Sequence, residues 1–345
     1  MLSLLDLDAL EALWKERRWG LESWRRFEKG FFEELWEDYD RFCELPEALI
    51  GHLRDHVPLF PLRCVSQSEA ADGTLKLLFE TSEGLKLESV LMRYGGEGKP
   101  ERYSVCVSSQ VGCPARCAFC ATGTMKWGRN LRSDEILAQV LWCNRWLKAR
   151  GQRVQNLVFM GMGEPLLNCD QVFTAIKALL DQRKFSLGPR RITLSTVGIV
   201  PGLERLLASG LPIRLAVSLH APTDELRSHI VPINKSYPLD VLMPVLDRWT
   251  AAHDKQIVYE YVMLRDLNDG QQQAAELTRL LAGRRAYVNL IPYNPGPGQF
   301  ELHPSPRERI YAFAERLRAG GIRTIVRHTF GRDIAAACGQ LAVNS

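Results

Sequence analysis

Three cysteines carry the first chemical signal in this chain: Cys113, Cys117 and Cys120, in the run Cys113-Pro-Ala-Arg-Cys117-Ala-Phe-Cys120. Thiolates are soft ligands, suited to zinc or to iron–sulfur clusters. A structural zinc site needs four closed ligands, usually as two separated pairs. Here one loop offers three and no second pair follows. Three thiolates on a four-iron cluster leave one iron open, so a [4Fe-4S] cluster is the preferred reading. Zinc with Cys106 as fourth ligand, in a protein that binds RNA without catalysis, is the alternative. Among the other cysteines, Cys338 lies near the tail in Asp333-Ile-Ala-Ala-Ala-Cys338-Gly-Gln. Cys43, Cys64, Cys143 and Cys169 are scattered and read as small buried apolar residues.

The elements around these residues predict an α/β fold. Residues 1–60 carry Leu, Trp and Phe at helical spacing, which predicts a small helical bundle ended by Pro58 and Pro61. Thr74–Glu80 and Leu85–Met92 alternate about the turn Thr81-Ser82-Glu83-Gly84, a hairpin. Gly95-Gly96-Glu97-Gly98-Lys99-Pro100 reads as a linker. Strand candidates follow at Tyr103–Ser108, Asn156–Met160, Arg191–Ser195, Ile213–Ser218, Ile257–Met263 and Tyr287–Ile291, with amphipathic helical stretches between them. One helix opens at Ser133, read as its N-cap. Strands alternating with helices imply parallel units. Six of them suggest a partial (β/α)6 TIM-like barrel, with a doubly wound sheet as the alternative. The chain thus divides into a helical region over 1–60, a hairpin and linker over 61–98, the partial barrel over 99–333, and a tail over 334–345.

In barrels of this kind catalytic groups gather at the C-terminal ends of strands. Cys113 follows the first barrel strand and Gly163 and Glu164 the second; Ser195 ends the third and Ser218–His220 the fourth; Asn294 follows the sixth. All are expected at one mouth, suited to a ligand with an ammonium, a carboxylate and a ribose.

The composition, 46% hydrophobic and 24% charged, is that of an ordinary globular protein, with no apolar run long enough to span a membrane. Acidic residues interrupt the apolar start, which argues against a secretory signal and for the cytoplasm. Residues 1–60 hold 8 Lys+Arg against 14 Asp+Glu, a balance of −6, and the rest hold 36 against 26, or +10. A basic main body is compatible with a nucleic-acid partner. Two basic clusters are candidates for phosphate contact. One holds Arg183, Lys184, Arg190 and Arg191; the other holds Arg307, Arg309, Arg316, Arg318, Arg323 and Arg327. The N-terminal region adds a local patch of Arg17, Arg18, Arg25 and Arg26.

The C-x3-C-x2-C loop resembles the signature of the radical S-adenosylmethionine superfamily. Together with six further motifs it resembles the RlmN/Cfr RNA adenine methyltransferases, chiefly the RlmN branch. Those motifs are Gly161-Met-Gly-Glu-Pro165, Ser195-Thr-Val-Gly198, Ser218-Leu-His-Ala-Pro222, Val231-Pro-Ile-Asn-Lys235, Asn289-Leu-Ile-Pro-Tyr-Asn-Pro295 and Ala335-Ala-Ala-Cys-Gly-Gln-Leu341. The resemblance implies that Cys113, Cys117 and Cys120 bind the cluster. It further implies that Gly163, Glu164, Ser195, Ser218, Leu219, His220 and Asn294 bind S-adenosylmethionine. It also gives Cys338 a role with a physical motive. Carbons 2 and 8 of adenine are electron-poor and do not attack a sulfonium methyl, whereas a thiolate does. Cys338 would become S-methylcysteine, and a second S-adenosylmethionine would supply the radical that activates its methyl. Cys106 would resolve the adduct through a transient Cys106–Cys338 disulfide, and Glu88 would accept the ring proton. The implied substrates are 23S rRNA and tRNA, with the base flipped into the barrel mouth. A reducing electron donor is implied, and a monomer is expected. Methylation at carbon 2 is expected over carbon 8.

Overall fold

The computed structural model describes residues 3–96, 98–296 and 301–343. Residue 97 of the expected linker and the extreme ends of the first and last expected segments lie outside them. Ten strands form one sheet: β1 (Leu62–Glu69), β2 (Leu75–Thr81), β3 (Lys86–Gly96), β4 (Lys99–Cys106), β5 (Val154–Phe159), β6 (Ile192–Thr196), β7 (Arg214–Ser218), β8 (Ile257–Met263), β9 (Ala286–Pro292) and β10 (Arg323–Val326). Their spatial order is their order in the chain. β1 to β4 pair antiparallel, and β4 to β10 pair parallel.

That order decides the fold class. A doubly wound sheet reverses direction at a switch point, whereas here each crossover advances one strand the same way. The result is a partial α/β barrel. Among the described residues β10 pairs only with β9, so the barrel stays open on that side.

Ten α-helices accompany the sheet. Three make the N-terminal bundle: α1 (Leu7–Glu16), α2 (Leu21–Glu28) and α3 (Glu47–His56). The others are α4 (Ser133–Lys148), α5 (Cys169–Leu180), α6 (Val200–Ser209), α7 (Asp224–Ile230), α8 (Leu239–His253), α9 (Gln271–Leu281) and α10 (Arg307–Ala319). The helix α4 lies nearly wholly buried between the barrel and the N-terminal bundle. Arg153 and Lys148 donate to the carbonyls of Phe32 and Glu34, and Ser3 Oγ donates to Asp134 at 2.8 Å. An aromatic core of Trp14, Trp24, Phe27, Phe31 and Phe42 holds the bundle, and Phe32 meets Phe185 edge-on to dock it.

Four expectations are corrected. The glycine-rich stretch read as a linker is the turn of the β3–β4 hairpin, with Gly96 paired to Lys99. Gly95 and Gly96 have φ of 93° and 99° there, the conformation that made the segment look unstructured. Ser133 is the first helical residue rather than the cap. Glu135 closes the α4 start by accepting from the Arg132 N–H at 2.8 Å. Cys43 is exposed, while Cys143 and Cys169 are buried as expected. Strands β1 and β10 were not anticipated: β1 buries little beyond Leu62, so its apolar alternation is weak, and β10 is only four residues long.

Candidate active site

The C-terminal ends of the parallel strands surround a cavity that opens to solvent at the barrel mouth. Cys113, Cys117 and Cys120 line one side, and Gly163, Glu164, Ser195, Ser218 and His220 line the others, with Cys338 at its edge. Burial pushes the Cys113 thiol up to about 12, with Glu164 and Cys120 adding to it, and raises Cys117 and Cys120 as well. Cys113 and Cys117 each feel the charge of a neighbouring thiol in the loop, and Cys120 feels that of Cys338. Buried, mutually repelling thiols ionise only with a cation to hold them, which is the setting a cluster's iron provides. The donor set fits such a cluster.

The second wall is built by the Gly161–Pro165 loop after β5. Gly163 has φ of 99°, and a Cβ there would sit 2.5 Å from the Gln110 Cβ. Only glycine permits this approach. Glu164 is buried, and its carboxylate accepts from Thr196 Oγ1 at 2.7 Å, Val197 N at 2.8 Å and Leu166 N at 2.9 Å. Burial pushes it up to about 7 against those three donors. This carboxylate ties β5 to β6.

His220 has φ of 60° and is buried. Its Nδ1 accepts from the Val262 N–H at 3.0 Å, which assigns the proton to Nε2. Burial, aided by Arg227, pulls it down to about 3, so the ring is a neutral donor. Phe119 meets it edge-on at 4.4 Å. Leu219 is fully buried and does not line the cavity; its backbone N–H donates to the Glu260 carbonyl at 3.1 Å. Asn294 lines an adjoining groove rather than the cavity itself, and its amide donates to the Pro292 carbonyl at 3.0 Å.

Cys338 is held by a tail stitched to the cluster loop. Ala121 N donates to the Gly339 carbonyl at 2.8 Å, and Thr122 Oγ1 to the Leu341 carbonyl at 2.6 Å. Gly339 needs its φ of 84° to pass Phe119, whose carbonyl a Cβ would meet at 3.3 Å. Cys106, the last residue of β4, is buried close enough to Cys338 to feel its charge. Burial pushes Cys106 up to about 12, Cys338 adds to that, and Arg327 opposes it. Both are free thiols in this structure, and no disulfide occurs among the described residues.

Glu88 is buried, not solvent-facing. It pairs with Lys76 at 3.2 Å and accepts from the Ala342 N–H at 3.0 Å, anchoring the tail to β3. Burial raises its pKa against the Lys76 ammonium. It does not line the cavity.

Three residues escaped sequence reading. Arg227 of α7 is fully buried and donates to the carbonyls of Leu219, Val197 and Ser218 and to Asn234 Oδ1, lacing together the ends of β6 and β7 near Cys117. Glu260 of β8 lines the cavity; its Oε1 accepts from Asn289 at 3.0 Å, and its buried Oε2 accepts no hydrogen bond but faces the Arg327 guanidinium. Arg327 follows β10 and lies between Cys338 and Glu260. Its charge is held by Cys338 first, then by Glu260, whose Oε2 is 3.8 Å away. No motif marks the first two, which sit in ordinary amphipathic or apolar runs; Arg327 had been grouped with surface cations.

The basic clusters divide on inspection. Arg183 and Lys184 pair with Asp181, Arg26 pairs with Glu34 and Glu44, Arg309 with Asp266, and Arg318 donates to the Thr324 carbonyl. Arg307 keeps no acidic partner within ion-pair range among the described residues; it lines a groove beside the mouth, where its guanidinium donates to Tyr311 Oη at 3.5 Å.

Residues 107–278 match the family model of the radical SAM superfamily. The chain is 40% identical over 90% of its length, and 85% of the relative's, to a Streptococcus sanguinis protein named "Probable dual-specificity RNA methyltransferase RlmN". A Chloroflexus aurantiacus protein of the same name is 43% identical over 93% of this chain and 89% of the relative. The crystal structure of a radical SAM methyltransferase from Sphaerobacter thermophilus superposes with a TM-score of 0.94 at 40% identity, covering 99% of each chain. With the strand order, the three-cysteine loop and the mouth already in place, the chain belongs to the radical SAM family of RlmN-type RNA methyltransferases.

Proposed function

We propose that this protein methylates carbon 2 of an adenine in 23S rRNA, and of one in tRNA, carrying the methyl on Cys338. The observation that carries the reading is Cys338 at the edge of the three-cysteine cavity with Cys106 and Arg327 beside it. A second thiol in reach of the first is superfluous for binding a cluster but necessary for releasing a thioether.

Cys113, Cys117 and Cys120 would hold a [4Fe-4S] cluster. Such a cluster, when bound, supplies the electron that splits the sulfonium of S-adenosylmethionine and yields a deoxyadenosyl radical. Gly163 offers backbone that no larger residue would leave open. Ser195, Ser218, the Nε2–H of His220 and the Glu260 carboxylate would orient the amino acid and ribose. Leu219 would act through its backbone and Asn294 from the rim. Cys338, as thiolate, takes the methyl of one S-adenosylmethionine and displaces S-adenosylhomocysteine: a sulfur–carbon bond forms on the protein as the sulfonium's breaks. A second S-adenosylmethionine is consumed to remove a hydrogen from that methyl. After the carbon joins the ring, Glu88 would take the ring proton and one electron would return to a bound cluster; the Cys106 thiolate then closes on the Cys338 sulfur, and the freed carbon takes a proton to give the methylated base. The reducing partner then supplies the two electrons that reopen the disulfide. Glu88 lies outside the cavity, held by Lys76 and the Ala342 N–H, so taking the ring proton would require its carboxylate to move.

The curated relatives' names, dual-specificity RNA methyltransferase RlmN, are compatible with carbon 2 and with two RNA substrates. We place the protein as a monomer working on RNA in the cytoplasm; among the described residues no helix is long and apolar enough to cross a membrane. Mass spectrometry of nucleosides from RNA treated with anaerobically reconstituted enzyme tests the reading. The expected product is 2-methyladenosine, lost in Cys338→Ala with iron content retained. An 8-methyladenosine product would refute the regiochemistry, and full methylation by Cys338→Ala would refute the carrier.

A further inference from the structure

The cavity continues into a groove along the open side of the barrel. From Cys338 it runs past Asn294 and His328 to the start of α10, where Ser305, Arg307, Tyr311 and Arg332 line it. Three features of this end are unexplained by the S-adenosylmethionine site. First, α10 begins without a cap: Pro306 holds the cap position, so its side chain satisfies none of the first free N–H groups. Second, the hydroxyl of Ser305, 92% buried, lines the groove and has no hydrogen-bond partner. Third, Tyr311 is a large aromatic left 44% exposed, with the Arg307 guanidinium 5.8 Å from its ring centroid.

An uncapped helix N-terminus with a spare hydroxyl and guanidinium groups is a site for an oxyanion. No acidic residue lines this groove, and Arg332 makes no ion pair among the described residues. An exposed ring beside it provides a stacking face, and stacking with phosphate contact is how single-stranded nucleic acid is held. A lone metabolite phosphate would not use Tyr311, nor need a groove continuous with the thiol.

We propose that this groove is a subsite for the RNA strand next to the target adenosine. One phosphate sits at the α10 N-terminus against Ser305, Arg307 and Arg332, and the neighbouring base lies on Tyr311. The inference rests on the RNA-methylation reading and extends it. It assigns the open edge of the barrel as the side on which the flanking strand lies, and makes Tyr311 and Arg307 substrate-positioning residues.

The test uses reconstituted holoenzyme and a 23S rRNA transcript, with Tyr311→Ala and the double variant Arg307→Gln/Arg332→Gln. KM for RNA should rise about tenfold in each. The slope of log affinity against log salt should fall by about 1 for each phosphate contact removed, in the double variant but not in Tyr311→Ala. Melting temperatures equal to wild type exclude misfolding, as these side chains lie at the surface of the groove. If the wild-type enzyme methylates the transcript and both variants keep its KM and salt slope, the groove proposal is overturned while the function stands. If the wild type methylates no RNA, the functional reading fails, and the subsite with it.

Discussion

Replacing Arg227 with methionine removes the lacing of the cavity wall. Its guanidinium donates to Val197 O at 2.6 Å, Asn234 Oδ1 at 2.7 Å, Leu219 O at 3.1 Å and Ser218 O at 3.3 Å. A hydrogen bond from a charged donor contributes about 1.5–3 kcal/mol, so four taken naively would total roughly 6–12. Desolvation offsets much of that, as the pull of the buried guanidinium down to about 10 attests. Breaking a buried charged network by removing one partner costs about 3–5 kcal/mol, because the remaining groups stay buried and unpaired. Methionine fills the space but leaves four acceptors without a donor. With roughly 2.1 cal/mol/K of unfolding entropy per residue over 345 residues, that cost is a drop in Tm of about 4–7 °C. Calorimetry of the anaerobic protein reads it, with S-adenosylmethionine affinity measured alongside. Arg227→Lys should recover less than half, since one ammonium cannot span carbonyls on two strand ends. A methionine variant melting within about 1 °C of wild type, with unchanged affinity, would show that the loops hold without the lacing.

Other consequences follow from single sites. Gly163→Ala adds about 1–3 kcal/mol of backbone strain before its clash with Gln110 is counted. S-adenosylmethionine affinity should fall at least tenfold by equilibrium dialysis; near-native binding would refute the close approach. Glu28, 2% exposed in α2, has neither carboxylate oxygen hydrogen-bonded and Arg183 only at 3.6 Å. Burial raises its pKa against that cation, so the acid form is favoured in the fold, and stability is lost as pH rises through the raised value. Glu28→Met should therefore melt higher than wild type at pH 8, by about 1 kcal/mol, with the gain shrinking toward pH 4. A gain independent of pH would exclude the charge as its cause. Glu88→Ala removes the partner of Lys76 and of the Ala342 N–H, so limited proteolysis should clip the tail faster. An unchanged cleavage rate would mean that Thr122 and Ala121 suffice to hold it.

The barrel was legible because its strands are buried on both faces, so apolar runs such as Ile257–Met263 stand out; that strand has those limits in the structure. The elements missed are those whose burial is partial. Edge strand β1 turns most of its side chains to solvent, and β10 gains its place from pairing with β9 rather than from its own composition. The linker reading failed because positive-φ glycines are equally the mark of a tight hairpin, and only the pairing of Gly96 with Lys99 distinguishes the two.

The site divides along a similar line. Residues that depend on an uncommon type in a fixed spacing, the three cysteines and Gly163, could be read directly. Arginine carries no such mark, because a sequence does not say whether its charge is spent on solvent, on a carboxylate or on buried carbonyls. Among the arginines of one basic run, Arg309 is neutralised by Asp266, Arg318 is occupied by the Thr324 carbonyl, and half-buried Arg327 faces Cys338 and Glu260. Arg307 alone among these four is left turned to the groove without a countercharge. Summed charge had assigned the run one role, contact with RNA. Burial and partner divide it into structural, thiol-facing and substrate-facing cations, and the last of these lies beside the buried hydroxyl of Ser305, where a phosphate has donors waiting.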